Sequence, residues 1–383
     1  MQSSLFSDLL DDSHQAFADA AARFAREEIA PYATEWEEAE CFPRELYKTA
    51  AEAGVMGPTF PAELGGGGGD VLHAVVATEA MMRGGSTGTV VGLASLEIAL
   101  PPILTLGSPE QKERFVPVVL AGDKIAALAI TEPDTGSDVA GLRTRAVRDG
   151  SDYLLTGAKT FITSGVRADL VTVLARTGDD SHGGLTFFVV EKGMPGFEVS
   201  KSLKKTGWRA SDTAELTFDK VRVPTENRIG EEGSGFISLM KNFEWERLML
   251  GVEGHALAVI AFDEALAYAQ ERKAFGRPIA KFQVIAHKLA RMATLTQSTK
   301  TLNYRCASQM RAGVPVMAEI AMAKNHAGDV AREVCWEAVQ IFGGMGYMRE
   351  TLVERLARDA RLLPIGGGTQ EIMNQIIAKS FGL

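Results

Sequence analysis

The strongest constraint in this chain is that the texture of its apolar pattern changes twice. The last third carries three apolar patterns of helical period, Met249 to Glu271, Phe282 to Ala312 and Val316 to Phe342, none interrupted by proline. Spans of more than 20 residues with short connections predict an antiparallel helical bundle. The first third is helical too. Phe17, Ala20, Ala21, Phe24 and Ala25 recur at helical spacing until Pro31 breaks the run. Arg44 to Ala53 ends at Gly54, a natural helix stop. Ser108-Pro109-Glu110-Gln111 reads as a helix start, with Ser as N-cap, Pro at the first position and Gln at the third. Between these regions lie short β-type runs, Ala126 to Ile130, Tyr153 to Leu155, Leu170 to Ala175, Leu185 to Val190 and Glu215 to Phe218, separated by turns such as Asp149-Gly150. No long helical pattern interrupts them, which predicts an antiparallel barrel or sandwich rather than a βαβ sheet. The expected fold class is therefore α+β. An N-terminal all-α domain spans 1–125, a middle antiparallel β-barrel or sandwich domain 126–235, and a C-terminal α-helical bundle domain 236–383.

Composition narrows the function. With 46% hydrophobic and 23% charged residues over 383 positions, the chain can bury a large core, which excludes disorder and a disulfide-built mini-protein. Forty basic against 49 acidic residues leave a net charge of −9 with no basic cluster, so no nucleic-acid partner is expected. Cys41, Cys306 and Cys335 are too scattered for a disulfide framework, and the six histidines show no metal spacing. The start of the chain carries no targeting signal. The longest apolar stretch, about Thr89 to Leu106, contains Glu97 and Pro101-Pro102, so no membrane span is expected. The expected location is cytoplasmic, although a processed matrix protein would read the same.

Four strings carry chemistry. Ala129-Ile130-Thr131-Glu132-Pro133-Asp134-Thr135-Gly136-Ser137-Asp138 offers a tight turn whose N–H groups and hydroxyls suit polar ligand atoms; a plain turn is the simpler reading. In Lys159 to Gly165, Phe161 and Thr163 are two apart and share one strand face, an aromatic beside a hydroxyl. Glu271-Arg272-Lys273-Ala274-Phe275-Gly276, followed by Gln283, offers a guanidinium fork suited to a diphosphate, and it also reads as a helix C-terminus. The glycines of Gln340-Ile341-Phe342-Gly343-Gly344-Met345-Gly346-Tyr347 would let backbone approach a ligand closely. Last come Phe243-Glu244-Trp245-Glu246-Arg247-Leu248 and Pro364-Ile365-Gly366-Gly367-Gly368-Thr369-Gln370-Glu371-Ile372.

In this helical, β, helical order the strings resemble the acyl-CoA dehydrogenase family over essentially the whole chain. The resemblance implies FAD-dependent α,β-dehydrogenation of an acyl-CoA thioester, with electrons passed to an electron-transfer flavoprotein. FAD would be held without a Rossmann domain, since no G-x-G-x-x-G string opens a βαβ unit. Leu128, Ile130, Thr131, Gly136 and Ser137 would line the flavin, with Phe161 packed on the ring system and the Thr163 hydroxyl directed at its N5. Arg272, Phe275, Gln283, Gln340, Gly343 and Gly344 would serve a neighbouring subunit's FAD, which implies a homotetramer, a dimer of dimers. Thr369 and Glu371 match positions near the adenosine end of FAD; Thr369 reads equally as a helix cap. Ser137, Glu244, Arg247 and Gly367 match acyl-CoA-binding positions, the Gly367 N–H polarising the thioester carbonyl. Many members place the catalytic Glu where Gly367 stands here. Isovaleryl-type and long-chain-type members keep it on a helix instead, where this chain has Glu246, with a small residue at the other position. The acyl group stays open between medium or long straight chains and branched ones. An acyl-CoA oxidase or other flavoprotein on the same scaffold, and a non-catalytic subunit that binds FAD or acyl-CoA, are the competing readings.

Overall fold

The computed structural model describes Phe6 and residues 8–383. Residues 1–5 and 7, part of the stretch read as free of a targeting signal, lie outside the described residues. Among the described residues eight α-helices precede the sheet: α1 (Asp12–Phe24), α2 (Ala33–Ala39), α3 (Glu45–Glu52), α4 (Val71–Met82), α5 (Thr87–Leu93), α6 (Leu96–Ala99), α7 (Pro101–Leu106) and α8 (Pro109–Leu120). Their starts are set by caps. Asp11 and Asp70 each accept backbone N–H groups at the start of α1 and α4, satisfying donors that the helix leaves free. Ser108 and Gln111 close the capping box expected for α8, with Pro109 at its first position. After α1 the chain makes a π-turn over Ala25–Ile29, and Pro31 stands in the turn that follows. The apolar stretch from Thr89 to Leu106 folds into α5, α6 and α7, with a 41° bend after α5. Among the described residues no single helix is long and apolar enough to cross a membrane.

The middle region is an eight-stranded sheet. Its strands are β1 (Ala126–Ala129), β2 (Arg145–Asp149), β3 (Asp152–Thr163), β4 (Leu170–Arg176), β5 (Leu185–Glu191), β6 (Phe197–Ser202), β7 (Thr213–Val223) and β8 (Arg228–Ile229). They lie in the order β6-β7-β3-β2-β4-β5-β8, with β1 also on β4. The expectation of an antiparallel barrel or sandwich is corrected here: the sheet is mixed and open. β1 runs parallel to β4, Ala126 opposite Leu170 and Ala129 opposite Val173, and β2 meets the same edge in parallel at Arg145 and Arg176. The outer strands β6 and β8 do not pair with each other. A parallel pair needs a crossover, and the β2–β3 hairpin supplies it in place of a helix, so the missing helical pattern was no guide to strand direction. β4 is buried on both faces. Leu170 and Leu174 face the helical core, while Val171, Val173 and Ala175 face a second core built with β3 and β7.

The C-terminal region begins with α9 (Gly235–Glu271), 37 residues long and so roughly 55 Å. It starts ahead of the apolar pattern that opens at Met249, which places Glu246 inside a helix. The hairpin β9 (Lys273–Ala274) and β10 (Arg277–Pro278) leads to α10 (Gln283–Arg311), α11 (Met317–Phe342), α12 (Leu352–Asp359) and α13 (Gln370–Ser380). α10 and α11 pack closely on α9. A Cβ at Gly251 would stand 2.9 Å from Asn303 Oδ1, and one at Gly254 would stand 3.0 Å from Ala327 O.

Candidate active site

On α9, Glu246, Met249, Leu250 and Glu253 fall at i, i+3, i+4 and i+7, one face of the helix. That face lines a cavity of about 150 Å³ closed by α4, by the α5–α6 segment around Glu97, by Trp208 and by Thr163 at the end of β3. Glu246 is half-buried there. Burial pushes its carboxyl above the ordinary glutamate range, against the pull of Arg247 and Lys324. A raised pKa suits a general base that must hold the proton it takes.

Gly367 lies directly against Glu246 and Leu250. Its φ is +61°, and a Cβ on it would lie 3.3 Å from Glu246 Oε1 and 2.3 Å from Leu250 Cδ1. Two cations hold its loop. Arg247 donates from Nε to the Gly367 carbonyl at 3.3 Å, its guanidinium lying over the Phe243 ring. Lys324 is buried and donates to Leu363 O at 3.0 Å and Gly368 O at 2.7 Å. Burial pushes the Lys324 amine down to about 8. Among the described residues the Gly367 N–H finds no acceptor.

The first two strings meet at the sheet. Thr160 N donates to Thr131 O at 2.9 Å. Beneath them, buried Lys159 donates to Ile130 O at 2.8 Å and to Glu132 Oε1 at 3.0 Å. Glu132 also accepts from the backbone of Arg143 and Thr144. Burial alone would raise its carboxyl, but Lys159 and these donors hold it below the ordinary range. Leu128 and Ile130 are buried at the end of β1, Thr131 is half-buried, and Gly136 and Ser137 are exposed on the loop. Phe161 is exposed and Thr163 half-buried on either side of buried Ile162, and a register shift between Lys159 and Ile162 breaks the regular strand spacing that predicted one shared face. Phe161 is 68% exposed at φ +60°. A bulky residue in that region is a rare conformation that marks functional sites. Thr163 lines the apolar cavity and exposed Phe161 stands two residues before it, a pairing that suits a flat ring system.

The third group lies elsewhere. Arg272 ends α9, 26 residues beyond Glu246, about 39 Å along the helix. Arg272, Phe275, Gln283, Gln340, Gly343 and Gly344 are all exposed around the β9–β10 hairpin and the end of α11, where Tyr268 stacks on Phe342. Phe275 is 94% exposed, at φ +50° in the hairpin turn. Thr369 caps α13 by accepting from Ile372 N, and Glu371 is exposed in its first turn. Glu244 is half-buried beside the cavity residues of α9.

Four cavity or loop residues escaped the sequence reading. Glu97, noted only as a charge in an apolar stretch, and Glu253, two turns from Glu246, both line the cavity. Lys324 falls in phase with buried Ile320 and Ala327, an unusual place for a lysine. Trp208 lines the cavity at φ +53° with its indole N–H unpartnered, and nothing in its local sequence marks it.

A helical, β, helical chain with an acid against a glycine loop at the edge of an apolar cavity belongs to a class of flavoprotein oxidoreductases. Family models for the N-terminal, middle and C-terminal domains of acyl-CoA dehydrogenases match residues 11–123, 127–221 and 233–382. The chain belongs to the acyl-CoA dehydrogenase family, FAD-dependent oxidoreductases acting on acyl-CoA. It is 39% identical over 374 residues to the mitochondrial long-chain specific acyl-CoA dehydrogenase of Rattus norvegicus, covering 97% of this chain and 87% of that one. Among solved structures, a probable acyl-CoA dehydrogenase from Mycobacterium abscessus is 50% identical with a TM-score of 0.96, covering 97% of this chain and 99% of the other. A chain in the structure described as the electron transferring flavoprotein of Acidaminococcus fermentans is 37% identical with a TM-score of 0.94, covering 97% and 98%.

Proposed function

We propose that this protein dehydrogenates the Cα–Cβ bond of an acyl-CoA with Glu246 as the base, and passes the electrons to an electron-transfer flavoprotein. The observation that carries this reading is the facing pair Glu246 and Gly367, with Thr163 on the same cavity. FAD, when bound, accepts the hydride that leaves Cβ. Phe161 and Thr163 would hold its ring system, and Leu128, Ile130, Thr131, Gly136 and Ser137 its edge. Glu246 removes the α-proton, and its raised pKa lets it keep that proton in the cavity. The free Gly367 N–H would polarise the thioester carbonyl, with Arg247 and Lys324 fixing its loop. Glu244 and the remaining N–H groups of Arg247 are left for the pantetheine arm. We assign Thr369 and Glu371 to the adenosine end of FAD, beside the capping role of Thr369.

The exposed set around Arg272 serves a neighbouring subunit's FAD in a homotetramer. The distance of Arg272 from its own chain's Glu246 supports this, and so do the exposed Phe275, Val284, Trp336 and Tyr347 nearby. A cytoplasmic setting goes with three cysteines that are all free thiols. The acyl group is a medium or long straight chain or a branched one. Purified protein should be yellow, bleach anaerobically with a good acyl-CoA, and reoxidise slowly in air. A panel of acyl-CoAs with a dye acceptor reads its chain preference. Fast, sustained peroxide formation would favour an oxidase instead, and a colourless protein that takes up no added FAD would end the reading.

A further inference from the structure

We propose that the acyl end of this cavity takes a chain bearing a hydroxyl or ketone oxygen, which hydrogen-bonds to Glu253 and Glu97. This rests on Glu246 being the base, since that sets which end of the cavity holds the thioester. Glu253 lies seven residues along α9 from Glu246 on the same face, about 10.5 Å further in. It is 8% exposed, and its Oε2 is buried with no partner. Glu97 reaches the same cavity from α6, and among the described residues its carboxyl makes no hydrogen bond and no ion pair. Neither acid holds the fold together in any visible way.

Most of the surrounding wall is apolar, with Met81, Val90, Leu93 and Met249, and Thr78 and Ser95 are small polar groups on it. A plain alkyl tail filling this end would cover the half-buried Glu97 carboxyl and leave buried Glu253 Oε2 unpaired, an unfavourable state for a buried polar group. Burial pushes Glu97 up to about 8, and burial with the repulsion of Glu246 pushes Glu253 up to about 8. At neutral pH both are mainly carboxylic acids, able to donate to an oxygen and to accept from a hydroxyl. Their natural counterpart is therefore a neutral oxygen function towards the far end of the acyl chain.

The test uses FAD-loaded protein and matched pairs of acyl-CoAs of equal length, one plain and one with a distal hydroxyl. Anaerobic stopped-flow bleaching gives the ratio of kcat/KM, and calorimetry with unreactive thioether analogues gives the ratio of affinities without turnover. Sites built to bind a substrate hydroxyl discriminate strongly against its absence, so the hydroxylated chain should be preferred by at least about tenfold. Glu253→Leu should shift the ratio towards the plain chain by at least about tenfold, as should Glu97→Leu, while Glu253→Gln keeps the preference. A wild-type ratio at or below unity overturns the proposal, and so does a ratio that neither leucine variant moves. If the leucine variants do not fold, the wild-type ratio and Glu253→Gln decide. The base reading fails separately: it falls if Glu246→Gln bleaches normally with both chains, whatever their ratio.

Discussion

A Cβ placed on Gly367 would stand 3.3 Å from Oε1 of Glu246. The two positions are therefore in direct contact, and only one of them carries a carboxylate. A second acid there would meet the first at van der Waals distance, where two like charges cannot both ionise cheaply. The glycine is what leaves room for a base on α9.

The first prediction concerns that base. Glu246→Gln keeps size and polarity but cannot accept the α-proton. A positioned general base contributes about 10²–10⁴-fold, roughly 3–5 kcal/mol of barrier. Stopped-flow bleaching should slow by that range, with acyl-CoA affinity little changed.

Moving the carboxylate to the other position should work only in part. In the double variant Glu246→Gly with Gly367→Glu, the new side chain starts at φ +61°, which costs a non-glycine residue about 1–2 kcal/mol. Its Cβ would also meet Leu250 Cδ1 at 2.3 Å. Partial recovery is expected, rising when Leu250→Ala is added. A triple variant as inactive as Glu246→Gly alone would show that the two positions do not address the same carbon.

Arg272→Ala should weaken FAD retention and leave the chemistry of flavin-saturated protein nearly unchanged. Dialysis followed by absorbance per chain measures the first, and bleaching in excess FAD the second. Unaltered retention would remove Arg272 from the cofactor site.

Lys324→Met should fill the same space but strand the carbonyls of Leu363 and Gly368. Each buried unsatisfied acceptor costs about 1–3 kcal/mol, so Tm should fall and bleaching should slow while FAD content holds. Full activity at lowered Tm would make this lysine purely structural.

Stability should also report the buried acids. Glu97 and Glu253 have folded pKa values of about 8, above the ordinary 4.5. Such groups stabilise the fold fully below about pH 4.5, and that contribution is lost as pH rises towards 8. The slope is at most about 1.4 kcal/mol per pH unit for each group. Thermal melts from pH 5 to 8 should fall less steeply in Glu253→Gln than in the parent; identical slopes would refute the shift.

Activity should depend on pH in the opposite sense at Glu246. Its raised pKa puts the acid limb of flavin reduction above the ordinary glutamate value, with activity lost as pH falls through it.

What the sequence by itself determined follows from short-range physics. Helical period, proline breaks and caps act within one or two turns, so the order of helices and strands and the capping box at Ser108 could be read directly. The strand around Phe161 and Thr163 is equally local, but a bulge between Lys159 and Ile162, with Phe161 at φ +60°, was not legible in a period of two. Glu246 and Gly367 were matched as a pair through two strings far apart in the chain, by resemblance and not by any local rule. Tertiary structure alone decided the rest. The parallel pairing of β1 with β4 depends on where a hairpin carries the chain, and strand direction leaves no trace in a period of two. Glu97, Glu253 and Lys324 each sit in an apolar run or phase, but their own segments do not say that they meet. Their shifted pKa values arise only when α4, α6, α9 and α11 close around them, because desolvation belongs to the packed surroundings and not to the side chain.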